Sequence, residues 1–160
     1  MSLEAVGIQF RRGDPAELVE AMEGLVATAD GRGWVNIQPW VDEDDLPAEA
    51  PFSRAFSNRG PAVPTGTWIP AHMRRRRRVP ANLGLQHPAG RFVVRQLAES
   101  GVMVPPGAEV RQDHNRRGLV LDLADGTAPT VVVDFVIAAI ETLAAVPVDD
   151  RWVAEVLRRV

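Results

Sequence analysis

The spacing of apolar residues divides the first third of the chain into a strand, a helix and a second strand. Residues 6–10 form a short apolar run with polar interruptions, which is typical of a strand. Asp14 and Pro15 are then predicted to cap and open a helix. The apolar positions of that helix recur every three or four residues: Leu18, Ala21, Met22 and Leu25. Alternation predicts the next strand over residues 34–41, with Pro39 near its end.

The second half of the chain shows a similar succession of elements. The pattern predicts a strand at 83–87, a helix at 89–100, a hairpin of strands at 109–114 and 118–123, a helix at 130–145 and a last amphipathic helix at 151–160.

The predicted helix at 130–145 is apolar around most of its circumference. Thr130, Asp134 and Glu141 form a narrow polar stripe, and the other positions are almost all apolar. Such a helix must be covered on more than one side. It therefore lies either at the centre of the domain or in an interface between subunits.

Residues 6–10 resemble residues 83–87, and each segment precedes a helix and a further strand. Two strand–helix–strand units, related either by duplication or by chance, favour an α+β fold. We expect a two-layer sandwich with a mainly antiparallel sheet and helices on one face. The predicted topology is ferredoxin-like or a relative of it.

The 160 residues are predicted to form a single domain (1–160) that contains a long insert at 42–82. This insert is rich in proline and arginine and carries an acidic cluster at 42–45. Residues 67–69 are predicted to form a short strand and residues 51–56 a helical turn. Irregular segments of this length are often functional or disordered.

Composition restricts the function classes. The chain has no cysteine, a formal net charge of −3 and 18 basic residues, all of them arginine. No signal peptide and no membrane-spanning run are recognised, so we expect a cytoplasmic protein without membrane contact. The three histidines match no zinc spacing, and the glycines form no nucleotide motif. The sequence therefore predicts neither a metal nor a cofactor.

The most distinctive chemistry lies in five consecutive arginines: Arg74, Arg75, Arg76, Arg77 and Arg78. Three interpretations stay open, namely a solvated loop paired with the acidic cluster, a contact with a protein partner, and a contact with nucleic-acid phosphates. Trp68 could supply a stacking surface, and Arg116 and Arg117 could enlarge a basic face if the fold brings them close. Asp113 and His114 are adjacent in a predicted strand, so they point to opposite faces and are interpreted as part of a polar hairpin tip.

We expect a non-catalytic binding or adaptor module that contacts another protein or a second copy of itself. This expectation depends on the broadly apolar helix, on the arginines and on four tryptophans that we expect to be exposed, since tryptophan and arginine are enriched at interface hot spots. The alternative is a nucleic-acid-associated accessory protein that uses residues 74–78. A second alternative is an enzyme with a pocket under the 42–82 segment.

Overall fold

The computed structural model of the protein describes residues 2–46 and 60–160, and within them the chain forms one seven-stranded sheet, one two-stranded hairpin and three α-helices. All strand pairs are antiparallel. The strands are β1 Leu3–Arg11, β2 Gly33–Pro39, β3 Thr65–Ile69, β4 His72–Arg74, β5 Arg77–Val79, β6 Asn82–Gln86, β7 Glu109–His114, β8 Gly118–Asp122 and β9 Arg151–Arg159. The helices are α1 Ala16–Thr28, α2 Val93–Glu99 and α3 Pro129–Leu143.

The large sheet has one apolar face, and the helices pack against it. Because side chains alternate across a strand, Ile8, Ile37, Leu83, Leu121 and Trp152 all point to this inner face, where they are buried. A shared hydrophobic core joins them to buried residues of all three helices. This α+β arrangement of a mostly antiparallel sheet and three helices is compatible with the expected two-layer sandwich.

The sheet order is β1-β9-β2-β3-β6-β8-β7. Each strand–helix–strand unit is therefore split, because β9 lies between β1 and β2, and β8 lies between β6 and β7. A ferredoxin-like topology is not confirmed, since the sheet has seven strands. The two halves share this split arrangement.

α3 is the central helix of the domain. Eight of its residues are buried, and it packs against α1, α2, β2 and β3. Its wide apolar surface is therefore covered by this chain itself, which decides between the two interpretations that the sequence left open. The helix no longer counts as an argument for a subunit interface.

The prediction of a helix at 151–160 is wrong, because this segment is strand β9. It lies between β1 and β2, with Trp152 and Ala154 buried on the inner face. Asp149, which precedes this strand, accepts hydrogen bonds from the backbone and side chain of Arg151 at 2.8, 2.9 and 2.6 Å. It thus forms a turn before a strand, and pairing on both sides overrides local helix propensity.

The helix starts also differ from the prediction. Pro15 is the N-cap of α1, and Asp14 makes no side-chain cap there; its N–H donates to the carbonyl of Arg11 at 2.9 Å. α2 begins only after Phe92, four residues later than the start of the predicted helix; Phe92 has a left-handed φ of 58° and is exposed. The Asp113 carboxylate accepts the free N–H groups at the start of α2.

The 42–82 segment contains ordered structure where it is described. It forms a short 3₁₀ turn at Glu43–Asp45, then β3, which extends the strand expected at 67–69, and then β4 and β5. The helical turn expected at 51–56 lies outside the described residues. In the described part of the chain, no helix is long and apolar enough to cross a membrane.

Candidate binding site at an arginine hairpin

The five consecutive arginines form the tip of the β4–β5 hairpin. Arg74 pairs with Arg77 across the two strands, and Arg75 and Arg76 form the two-residue turn between them. Both turn residues have positive φ angles, 49° for Arg75 and 65° for Arg76. A two-residue turn with positive φ at both positions is usually built from Asn-Gly or Asp-Gly, because a side chain with a β-carbon is strained there.

Two features of this hairpin oppose its own stability. A left-handed conformation costs about 1–2 kcal/mol for each arginine. Arg74 and Arg77 also place like charges directly opposite each other, which is unfavourable in a strand pair. All five arginines are exposed, so no buried contact of their side chains offsets these costs. Residues that contradict local preferences in this way are concentrated at functional sites.

Ion pairing neutralises little of this charge. Arg78 pairs with the exposed carboxylate of Asp125, whereas Arg74 to Arg77 form no ion pair within residues 2–46 and 60–160. The acidic cluster expected as a partner lies elsewhere, since Asp42 pairs with Arg151 at 3.2 Å. The described contacts therefore do not include pairing between the arginine run and residues 42–45.

An apolar pocket opens at the base of the hairpin. Its volume is about 330 Å³. The hairpin side contributes Ala71, Arg78 and Pro80, α1 contributes Val26, and the segment after β8 contributes Leu123. Val26 is 47% exposed, so an apolar surface is already accessible at this rim. The site therefore combines a basic tip with an apolar base, and we refer to the two together as the hairpin site.

Trp68 does not provide the stacking surface suggested by its position in the sequence. It lies on the inner face of β3 and is only 2% exposed, so its ring is part of the core. Trp152 is buried as well and stacks on Phe10 with a centroid distance of 6.4 Å. Trp34 is half-buried and lies beneath the guanidinium of Arg159, which leaves Trp40 as the exposed tryptophan.

Arg116 and Arg117 do not join the hairpin site. They lie in the turn between β7 and β8, next to Gly118, whereas the hairpin adjoins the end of the sheet where Asn82 pairs with Asp122. The length of β8 separates the two basic groups by roughly 14 Å or more. Arg116 and Arg117 therefore do not extend the basic surface of the hairpin.

The histidines do not converge on a catalytic arrangement. His72 lies in β4, where its ring contacts the carbonyl of Pro70 at 3.0 Å, and the His114 Nδ1 accepts two backbone N–H groups in the β7–β8 turn. The pockets described here contain neither of these residues nor His87. No group of three or more potential metal ligands occurs within residues 2–46 and 60–160.

His87 is the buried polar residue of the core. Its Nδ1 accepts the Ala89 N–H at 3.2 Å, and its Nε2 has no hydrogen-bond partner within the described ranges. Burial lowers the pKa of the ring, and the charge of nearby Asp113 partly opposes this effect. Because Asp113 holds two helix N–H groups, at 3.1 and 3.2 Å, it acts as a cap for α2.

The sequence located the arginines of this site but not their geometry. No alternation or Asn-Gly signal marks the hairpin, and the pocket residues come from three separated segments. Comparisons with protein-family models, curated proteins and solved structures find no match. The function must therefore be argued from the residues of the site.

Proposed function

We propose that the chain is a non-catalytic binding module that attaches to another protein through the hairpin site. The supporting observation is the display of five exposed arginines on a tight turn that arginine itself makes unfavourable. A surface that carries a local energetic cost is retained most simply when a partner compensates for it. Arginine is also the charged residue most enriched where proteins meet.

The partner segment should be acidic and should carry an apolar residue. Carboxylates match the guanidinium groups of Arg74 to Arg77, which can bind them in a bidentate manner. The pocket beside Arg78 has room for one leucine- or phenylalanine-sized side chain against Val26, Pro80 and Leu123. A short segment that alternates acidic and apolar residues would use both parts.

Nucleic acid is the alternative ligand for the same arginines, and two observations disfavour it. Single-stranded nucleic acid is usually held by exposed aromatic rings beside the basic residues, but Trp68 is buried. Double-stranded nucleic acid favours an extended basic surface, but Arg116 and Arg117 lie at the far end of β8.

A titration with three fluorescent probes tests this proposal. The probes are a peptide that alternates aspartate or glutamate with leucine, the same peptide with serine in place of leucine, and an oligonucleotide of mixed sequence. The variant Arg74→Gln/Arg75→Gln/Arg76→Gln/Arg77→Gln removes the charge of the tip. The matched control Arg116→Gln/Arg117→Gln removes charge at the other end of the sheet.

The leucine peptide should bind the natural protein most tightly. Loss of four exposed ion pairs at about 0.2–1 kcal/mol each should weaken its binding by about fourfold to nearly a thousandfold, whereas the control variant should bind normally. Equal binding by both variants would refute the proposal. Tighter binding of the oligonucleotide, with a steep dependence on salt, would replace the protein partner by nucleic acid.

A further inference from the structure

β1 is an unusually long and regular edge strand. Its nine residues pair with β9 in an unbroken register from Leu3 opposite Arg159 to Arg11 opposite Arg151. Its other edge has no strand partner within residues 2–46 and 60–160. Such an edge presents free N–H and C=O groups in a row, and it is a template for a further strand.

The hydrogen bonds at the start of β1 identify the groups that face outward. Ser2 and Val160 exchange two backbone hydrogen bonds, at 3.1 and 3.0 Å. In an antiparallel pair such mutually bonded residues alternate with residues whose N–H and C=O point away. Leu3, Ala5, Gly7 and Gln9 therefore direct their backbone groups away from β9. Beyond them, the carbonyl of Arg11 accepts the Asp14 N–H and closes that end of the edge.

The opposite edge of the sheet, formed by β7, is protected against pairing with another strand. β7 contains a register shift between Val110 and Gln112, which disrupts regular pairing. Within that shift, Arg111 forms ion pairs with Glu109 and Asp122, at 3.2 and 2.5 Å. Bulges and charges of this kind prevent edge-to-edge association. β1 has a continuous register and contains no proline, so this edge lacks the bulge that protects β7.

Nothing in the monomer requires a glycine at position 7. An added β-carbon would meet no atom within 4 Å, and the backbone is not left-handed there. Glycine in a strand interior costs about 0.5–1 kcal/mol relative to alanine. Where no bulge explains such a glycine, close approach of another backbone is the usual reason.

We propose that two copies of this chain associate by antiparallel pairing of β1 with β1 of the partner, on a two-fold axis through Gly7. In this register Gly7 faces the partner subunit's Gly7, and Ala5 faces the partner subunit's Gln9. The two-fold axis repeats the pair of Ala5 and Gln9, so there are three opposed pairs. All of their residues have outward backbone groups, and with two hydrogen bonds for each pair the interface contains about six backbone hydrogen bonds. The two sheets become one continuous sheet, and the contact is isologous, as in most dimers.

The side chains are self-complementary in the same register. Val6, which is 60% exposed, comes to lie opposite the partner subunit's Ile8 on the inner face. Glu4 is the diagonal neighbour of the partner subunit's Arg12, within reach of long side chains. Arg12 already donates a hydrogen bond to Glu141 at 2.7 Å in its own chain, and its remaining guanidinium N–H groups can donate to a second carboxylate. The symmetric contact repeats each pair twice.

Molar mass measured by sedimentation equilibrium over a range of protein concentrations tests this dimer. Gly7→Pro removes an outward N–H and leaves the bonds to β9 intact, since proline is tolerated where the N–H faces solvent. The control Gly7→Ala keeps that N–H. Val6→Lys provides a second variant, because it adds a charge at an exposed position of the same edge.

The natural protein should form dimers, and Gly7→Pro should be a folded monomer. Gly7→Ala should form weaker dimers than the natural protein, because its added β-carbons face each other across the two-fold axis. Val6→Lys should weaken the dimer by about tenfold or more, as charges on an edge strand do. A natural protein that stays monomeric at all concentrations would overturn the proposal. A dimer that persists unchanged in both Gly7→Pro and Val6→Lys would show that another surface is used. The hairpin site is not involved, so its variants should not alter the molar mass.

Discussion

Replacing the two arginines of the hairpin turn by the residues that such a turn prefers should stabilise the protein. The change is Arg75→Asn together with Arg76→Gly. Asparagine tolerates the left-handed region, and glycine adopts it without steric cost. The substitution leaves β4 and β5 and their register unchanged.

The expected gain follows from the two backbone angles. The left-handed arginines, with φ of 49° and 65°, cost about 2–4 kcal/mol together. Asparagine recovers part of this cost, and glycine returns about 0.5–1 kcal/mol of its own gain because it makes the unfolded chain more flexible. The free energy of unfolding should therefore rise by about 1–2 kcal/mol, which corresponds to an increase of about 2–8 °C in Tm for a chain of this size.

Urea unfolding, followed by the fluorescence of the buried Trp68 and Trp152, measures this gain. The matched control is Arg75→Gln/Arg76→Gln, which removes the same two charges but keeps a β-carbon and an extended side chain at both turn positions. Comparison of the two variants separates backbone strain from charge repulsion. Light scattering should accompany both experiments, so that the two variants are compared in the same state of association.

The free energy of unfolding of the Asn-Gly variant should exceed that of the glutamine variant by most of the predicted gain. Equal stabilisation of both variants would attribute the effect to charge and refute the argument from strain. The same Asn-Gly variant should bind the acidic leucine peptide more weakly, because two of its five arginines are missing. A variant that is more stable but binds less tightly is the expected mark of a functional site.

Three further predictions concern the core and the turns. Asp113→Ala should lower the free energy of unfolding by about 0.5–2 kcal/mol in urea, with a smaller loss for Asp113→Asn, because the carboxylate caps α2. Burial lowers the pKa of His87, so its contribution to stability should be complete above about pH 6.5 and should decrease as the pH falls below that value; unfolding measured between pH 7 and 5 should show a flatter slope for His87→Asn, and an unchanged slope would contradict this. Gly118→Ala should lower Tm far more than Gly126→Ala in thermal melts. Both glycines have positive φ, but an added β-carbon at Gly118 would lie 2.1 Å from the Leu85 carbonyl oxygen, whereas Gly126 has open space. Equal decreases in Tm would refute the role of this overlap.

The strands that alternate cleanly could be predicted from the sequence. Leu119 and Leu121 are buried on one face of β8, as their alternation indicates, and β2 occupies nearly the expected range. The wide apolar surface of α3 correctly indicated that it must be covered. These features depend on local periodicity, which a single sequence records directly.

Elements that depend on distant pairing could not be predicted in this way. The apolar residues of β9 fit a helix as well as a strand, and its position between β1 and β2 decides for the strand. Five arginines in a row carry no periodicity, so the hairpin was expected to be irregular. Asp113 caps a helix that begins 20 residues earlier in the chain, and no local pattern reveals such a contact.

The position of β9 has a consequence for how the chain folds. In the large sheet, as far as the structure describes it, β1 pairs with β9 alone, so Leu3 must find Arg159 across almost the entire chain. Folding is slow when so long a loop must close before the contacts between its ends contribute any stability. On the ribosome, where synthesis proceeds at about 5–20 residues per second, β1 has to wait for its partner for roughly ten seconds or more. During that interval both edges of β1 are unpaired, so the nascent chain exposes a nine-residue strand that can pair with other chains.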